Sequence, residues 1–213
     1  INALFPDVIL LAGDFLYDNH SSLSALSPLA RLRATIGTFA VLGNHDTGNV
    51  LSLLHTPERI DDRTDPLIAI LDDMHITVLR NTSRTFSLGA ERLAIAGVTD
   101  LWAGTDNVQN ALEGIPKRTA TILLSHNPDV ALNLKSHQAH LITAGHTHGG
   151  QIRLPWIGAI PRIPTRLGKK YDQGLFRIDD DTTLAITRGL GETFPRARLF
   201  APPEILLLKS GVR

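Results

Sequence analysis

The sequence is 213 residues long, 43% hydrophobic and 20% charged, which excludes a disordered or fibrous chain and suffices for one core that buries about 70% of the unfolded surface. Lys plus Arg and Asp plus Glu number 21 each, and no basic run supplies the field that draws proteins to nucleic acid, so no nucleic-acid partner is expected. The absence of cysteine removes disulfides, thiolate metal sites and cysteine nucleophiles.

No linker, repeat or low-complexity stretch divides the chain, so residues 1–213 read as a single domain. Neither an apolar run of 18 residues nor the layout of a signal peptide occurs in the sequence. Val8 to Leu11 is a continuous apolar run ending in Ala12, Gly13 and Asp14, the pattern of a strand buried on both faces. Ser21 to Ile36 has the apolar spacing of an amphipathic helix, broken early by Pro28. Thr38 to Leu42 is a second strand and runs into Gly43, Asn44, His45 and Asp46.

Helices are expected at Val50 to His55, Pro66 to Met74 and Val108 to Leu112, and Thr77 to Val98 alternates in short runs that suggest hairpin strands. Thr121 to Leu124 runs into Ser125, His126, Asn127 and Pro128, and Leu141 to Ala144 into Gly145, His146, Thr147, His148, Gly149 and Gly150. Pro155 to Pro164 reads as irregular. Leu175 to Ile178 and Thr183 to Thr187 read as a hairpin, and Glu204 to Lys209 as a last strand. Four strand-like runs thus end in small polar clusters, and open α/β sheets place their sites in loops beyond the carboxyl ends of strands.

Those clusters hold Asp14, Asn44, His126, His146 and His148, one carboxylate, one amide oxygen and three imidazoles, a set suited to Mn, Fe or Zn. Each of the first three has a second reading: Asp14 and Asn44 as turn residues after glycine, and His126 as the start of a helix at Asn127-Pro128-Asp129. Two histidines in a glycine-flanked loop have little structural purpose and point to a metal. His45, beside Asn44, would hang next to such a cation within reach of a substrate oxygen, with Asp46 placed to orient its ring. His20, His55, His75, His137 and His140 share no such cluster and read as surface or capping residues.

In this order, Gly13-Asp14, Gly43-Asn44-His45-Asp46, His126 and Gly145-His146-Thr147-His148 resemble the calcineurin-like metallophosphoesterase family. The strings GHTHGGQIRLP, SHNPD and RLGKKYDQGL are similar to its bacterial membrane-associated phosphohydrolase branch, which includes UDP-2,3-diacylglucosamine pyrophosphatases. The resemblance implies a four-layer αββα sandwich of two mixed sheets flanked by helices, and a hydrolase that attacks a phosphoester or pyrophosphate bond with a metal-bound hydroxide. It implies that Asp14 bridges two ions, that Asn44, His126 and His146 hold the second and His148 the first, and that His45, backed by Asp46, assists the leaving group.

The family's opening D-x-H block, which supplies two further ligands, does not precede Asp14. The chain is therefore expected to be N-terminally truncated, to lack the first strand and to hold one ion firmly where a parent holds two. Ile152, Leu154, Trp156, Ile157, Ile160 and Ile163, with Arg153, Arg162 and Arg166, follow the histidine loop and could seat a lipid-linked or nucleotide-sugar substrate, with Arg153, Trp156 and Arg166 in contact with it. The other reading is a hairpin packed on the core. Peripheral membrane contact or a cytoplasmic location is expected, and the alternatives to an enzyme are a noncatalytic binding scaffold on this fold or an inactive fragment.

Overall fold

In the computed structural model, which describes residues 1–50, 60–135 and 138–209, the apolar runs become strands of two stacked sheets. In the first, β1 (Val8–Leu11), β2 (Gly37–Ala40) and β3 (Ile76–Val78) are all parallel, in the order β1-β2-β3. The remaining strands are β4 (Thr82–Leu88), β5 (Glu91–Gly97), β6 (Ala120–Leu124), β7 (Leu141–Ala144), the short pair β8 (Arg153–Leu154) and β9 (Gly158–Ala159), β10 (Gly174–Arg177) and β11 (Thr183–Ile186). The second sheet has the order β10-β11-β7-β6-β5-β4. Its four middle strands are parallel and its edge strands antiparallel.

Side chains alternate across a strand, so each buried strand feeds two cores. Phe39 and Val41 of the second run meet Leu79, Ile95 and Leu124 between the sheets. Ala40 and Leu42, one residue out of phase, face α1 (Thr64–Asp73) through Leu67 and Leu71. On the far side, Leu123, Ile142 and Ile186 meet α2 (Val108–Leu112) and the 3-10 turn Pro128–Leu132. Three cores between four layers make an αββα sandwich with few helices, the α/β class expected from the sequence; of the two sheets expected to be mixed, the second is, whereas the described strands of the first are all parallel.

Helices 64–73 and 108–112 lie where the apolar spacing puts them. Residues 21–36 differ: Leu23–Arg31 is a 3-10 helix capped by Ser22 and containing Pro28, whose ring and missing N–H prevent a regular α-helical ladder. The expected strand Glu204–Lys209 joins neither sheet; Pro202 and Pro203 precede it, and Ile205 to Leu208 are exposed. The helix expected at Val50 to His55 lies outside the described residues beyond Val50. Strand β3 joins the first sheet, whereas β4 and β5 form the expected hairpin in the second. Within 155–164, Gly158–Ala159 is the return strand of the β8–β9 hairpin. No helix among the described residues is long and apolar enough to cross a membrane.

The sheets come close at Gly97, where an added Cβ would stand 2.5 Å from Leu79 Cβ and 2.8 Å from Val41 Cγ1. Gly97→Ala is therefore expected to lower the unfolding free energy by about 1–3 kcal/mol through overpacking, read from the midpoint of urea denaturation.

Candidate metal centre

Strands β1 and β2 are neighbours and parallel, so the loops after them emerge side by side. Their contact needs two glycines: a Cβ on Gly43 would sit 2.1 Å from Asp14 Oδ1, and one on Gly13 2.6 Å from the Gly43 nitrogen. Asp46 locks the two loops together. It is fully buried, its Oδ2 accepts from the backbone N–H of Asp14 (2.9 Å) and Gly43 (2.9 Å), and its Oδ1 accepts from Leu16 (3.0 Å). Burial, together with the charge of Asp14, pushes the Asp46 carboxyl up to about 7, against the backbone donors that favour its anion.

Parallel strands β6 and β7 deliver His126 and His146 to the same place. His126 Nε2 lies 3.2 Å from Asp14 Oδ2, 3.1 Å from Asn44 Oδ1 and 2.9 Å from His146 Nδ1. Ligand atoms of Asp14, His126 and His146 all fall within 4.8 Å of one another. The other ring nitrogen of His126 is 2.6 Å from the Ala12 carbonyl, an acceptor only, so Nδ1 carries the proton and donates it. In the neutral ring, Nε2 then turns a lone pair toward a carboxylate oxygen, an amide oxygen and a second imidazole nitrogen. Such a set is satisfied by a proton on Nε2 or by a cation among the four atoms.

The electrostatics carry the same preference. Burial opposes a charge on His126, but the adjoining Asp14 carboxylate outweighs it and pushes the imidazole up to about 9. Burial would raise Asp14, yet the charge and hydrogen bond of His126, with His45 and His146 nearby, hold it well below the usual carboxylate range. Burial and then the His126 charge push His146 down to about 3, leaving it a neutral donor. The donor set therefore fits a borderline divalent cation such as Mn, Fe or Zn. Asp14 and His146 occupy left-handed backbone, at φ 56° and 67°, a conformation that costs non-glycine residues energy and clusters at functional sites.

His45 and His148 stand outside this cluster. The His45 N–H donates to Asp14 Oδ1 (3.1 Å), its ring lies flat on Tyr17, and its Nδ1 is 2.6 Å from the Tyr17 carbonyl. Tyr17, not Asp46, therefore orients the His45 ring; the Asp46 carboxylate is consumed by backbone amides. His148 also has a left-handed backbone, φ 53°, and its Nδ1 faces the Gly191 carbonyl at 3.3 Å. That carbonyl and the His148 carbonyl are both held by the Arg198 guanidinium.

Of the residues expected to touch substrate, Trp156 and Arg166 are exposed, whereas Arg153 is occupied. Its Nη1 donates to the Gly149 carbonyl (2.9 Å) and pairs with Asp172, so it braces the histidine loop and is not free to bind an anion. Ile163 is buried, while Leu154, Trp156, Ile157 and Ile160 are exposed. Among the other histidines, His75 follows α1, His140 Nδ1 accepts from the Thr121 N–H, and His20 is exposed; His55 and His137 lie outside the described residues.

Two residues beside the centre were not anticipated. Asp100 is buried after β5, with Oδ2 accepting from the Ala103 N–H (3.0 Å) and Oδ1 unpartnered. Burial pushes it up to about 6 against the pull of His126. The loop it holds carries Trp102, whose ring meets His146 edge-on at 4.6 Å. The signal was available, because β5 is a fifth apolar run ending in small polar residues, Thr99 and Asp100.

Comparison with known proteins agrees with this architecture. The chain is 33% identical to the uncharacterized metallophosphoesterase YkuE of Bacillus subtilis, over 96% of this chain and 68% of that protein. It is 33% identical to the phosphodiesterase YaeI of Escherichia coli, over 96% and 70%, and 29% identical to the UDP-2,3-diacylglucosamine pyrophosphatase LpxG of Chlamydia muridarum, over 98% and 75%. The fold is similar to that of the phosphopantetheinyl hydrolase PptH from Mycobacterium tuberculosis, with a TM-score of 0.50 at 14% identity over 85% of this chain and 78% of that one. Residues 2–150 match the family model of the calcineurin-like phosphoesterases, and the chain, a metallophosphoesterase-type hydrolase, belongs to that family.

Proposed function

We propose that this chain hydrolyses a phosphodiester or pyrophosphate bond in a small substrate, with one divalent cation held by Asp14, Asn44, His126 and His146. The observation that carries this reading is the convergence of Asp14 Oδ2, Asn44 Oδ1 and His146 Nδ1 on His126 Nε2. A bound cation of this kind lowers the pKa of water to about 7 and neutralises charge that develops on a phosphoryl group.

The protein's own residues would do the rest. His126 presents its Nε2 lone pair in the tautomer that the Ala12 carbonyl fixes, His146 would add its Nδ1, and Asn44 a neutral oxygen. Asp14 supplies the negative charge and also fixes the His45 backbone. With its Nδ1–H donated to the Tyr17 carbonyl, the His45 ring has Nε2 left to face a departing oxygen, to which it would hand a proton as the doubly protonated imidazolium, returning to the neutral Nδ1–H ring. Asp46 is a positioning residue, holding the Asp14 and Gly43 loops at contact distance. His148, placed aside by Arg198, is suited to the substrate phosphate or to a second, weaker cation.

A lipid-linked or nucleotide-sugar substrate is supported by the likeness to LpxG, whose name specifies a UDP-2,3-diacylglucosamine pyrophosphatase, and by the exposed strip Leu154, Trp156, Ile157 and Ile160 beside the histidine loop. Trp156 and Arg166 are the candidate contacts.

Four outcomes are expected. Titration calorimetry with Mn2+ should give one firmly bound equivalent, whereas two at full occupancy would contradict the ligand set. The cation must displace the proton that His126 holds up to about pH 9. Apparent affinity should therefore rise by about tenfold per pH unit from neutral pH and level off above about 9, with roughly one proton released.

Turnover of an aryl phosphodiester in the presence of Mn2+ tests the role of His45. His45→Ala should lower kcat about 100-fold or more and leave Mn2+ affinity unchanged; equal turnover by the variant would favour the noncatalytic scaffold.

Asp46→Ala should weaken Mn2+ binding at least tenfold and destabilise the fold by about 3 kcal/mol, since three backbone N–H groups lose their acceptor. Asp46→Asn, which keeps one oxygen acceptor, should lose less in both calorimetry and urea unfolding.

A further inference from the structure

The β8–β9 hairpin turns at Pro155, Trp156 and Ile157, and its tip projects into solvent. Trp156 is 103% exposed and Ile157 61%. Phe200, 62% exposed, shares a shallow groove with them and with Leu154. This placement is built rather than incidental. The Arg153 N–H donates to the Leu199 carbonyl and the Leu199 N–H to that of Gln151, fixing the 196–200 segment along the hairpin. Arg153 ties the hairpin base to Asp172 and to the Gly149 carbonyl. Trp156 and Phe200 both sit in left-handed backbone, at φ 62° and 51°. Exposed aromatic side chains grouped in this way have the character of an interaction surface.

Charge narrows the choice of partner. Between Asp129 and Asp172 the sequence contains no acidic residue, and within that span Arg162, Arg166, Lys169 and Lys170 are exposed. Arg196, three residues before Leu199, is exposed as well. The neighbouring carboxylates are taken: Asp172 pairs with Arg153 and Glu204 with Arg188, leaving half-buried Glu192 as the one acid from 190 to 203. Exposed apolar side chains at the tip, indole included, flanked in the chain by exposed cations such as Arg162 and Arg196, offer the two chemistries of a bilayer surface, where rings settle at the headgroup level and Lys or Arg meet anionic phosphates. A second copy would bring the same cations face to face, which disfavours self-association through this surface.

We propose that the tip of the β8–β9 hairpin, together with Phe200, docks this protein on an anionic lipid bilayer. The inference is independent of the hydrolase reading, because adsorption to a membrane needs no turnover. It places the histidine loop, which leads directly into the hairpin, at the membrane face of the molecule.

The test is co-sedimentation of the full chain with vesicles of phosphatidylcholine alone or of equal parts phosphatidylcholine and phosphatidylglycerol, combined with tryptophan emission. Binding to the anionic vesicles should exceed that to the neutral ones by at least about tenfold, weaken with salt and shift the emission to the blue. Trp156→Ala combined with Ile157→Ser should lower it at least about tenfold, and Arg162→Ala and Arg166→Ala by about fivefold each, while urea unfolding stays cooperative. His45→Ala should bind as the parent does, which separates docking from catalysis. No binding to anionic vesicles, or undiminished binding by the hairpin variant, would overturn the proposal. So would size-exclusion chromatography showing a dimer that Trp156→Ala dissolves, since the occupant would then be a second copy.

Discussion

Four lone pairs share one small volume at the ends of β1, β2, β6 and β7, and the rest of the molecule is arranged to keep them there. Oxygen and nitrogen atoms of this kind repel at 3 Å unless a positive charge lies between them. The protein by itself supplies that charge as a proton on His126, and Asp14 is the counter-ion that keeps it. A divalent cation offers the same four atoms more charge and a matching coordination preference. Parallel pairing in both sheets follows from this requirement, because parallel strands bring their carboxyl ends, and so their loops, to one edge of the sandwich.

Holding the cluster demands conformations that the local sequence would not choose. Asp14, His146 and His148 are left-handed without being glycine, each at a cost on the order of 1–3 kcal/mol. The compensation is a set of buried polar side chains that bind loop backbone. Asp46 gathers three amides from the first two loops. Asp129 accepts from the amides of Arg166 and Leu167, joining the His126 loop to the segment after the hairpin. Gln151 clasps Thr193 and Pro195, and Arg198 collects carbonyls around His148. Loops anchored in this way can stay strained because the alternative is a buried amide or carbonyl without a partner.

This division explains what was legible in the sequence. The convergence of Asp14, Asn44, His126 and His146 was, because each follows an apolar run directly and strand ends dictate where such residues emerge; His148, expected with them, stands apart. The helices at 64–73 and 108–112 were, because their apolar spacing is undisturbed. Residues 21–36 misled because Pro28 spoils a helix whose hydrophobic spacing is otherwise sound. The partner of Asp46 was not legible, since its neighbour His45 is the obvious candidate while its real partners are amides up to 32 residues away. Arg153 misled in the same way: an arginine beside a phosphate-handling loop suggests anion binding, but Asp172, 19 residues on, already claims it. Asp100 was overlooked because a single acid after a strand looks like an ordinary turn.

Asp14 shows how few atoms link binding to chemistry. Its Oδ2 belongs to the lone-pair cluster, while its Oδ1 accepts the His45 N–H. One carboxylate thus sets both the electrostatic demand for a cation and the position of the ring proposed to protonate the leaving oxygen. Charge placed on Oδ2 and displacement of the His45 backbone are therefore coupled through a single rigid group. Gly43, with no room for a Cβ against Oδ1, brings the second loop into direct contact with this carboxylate. The same contact accounts for the buried Asp46 behind it. A second carboxylate so near Asp14 is electrostatically unfavourable, and it is retained because only an acceptor with two oxygens can hold three amides at that junction.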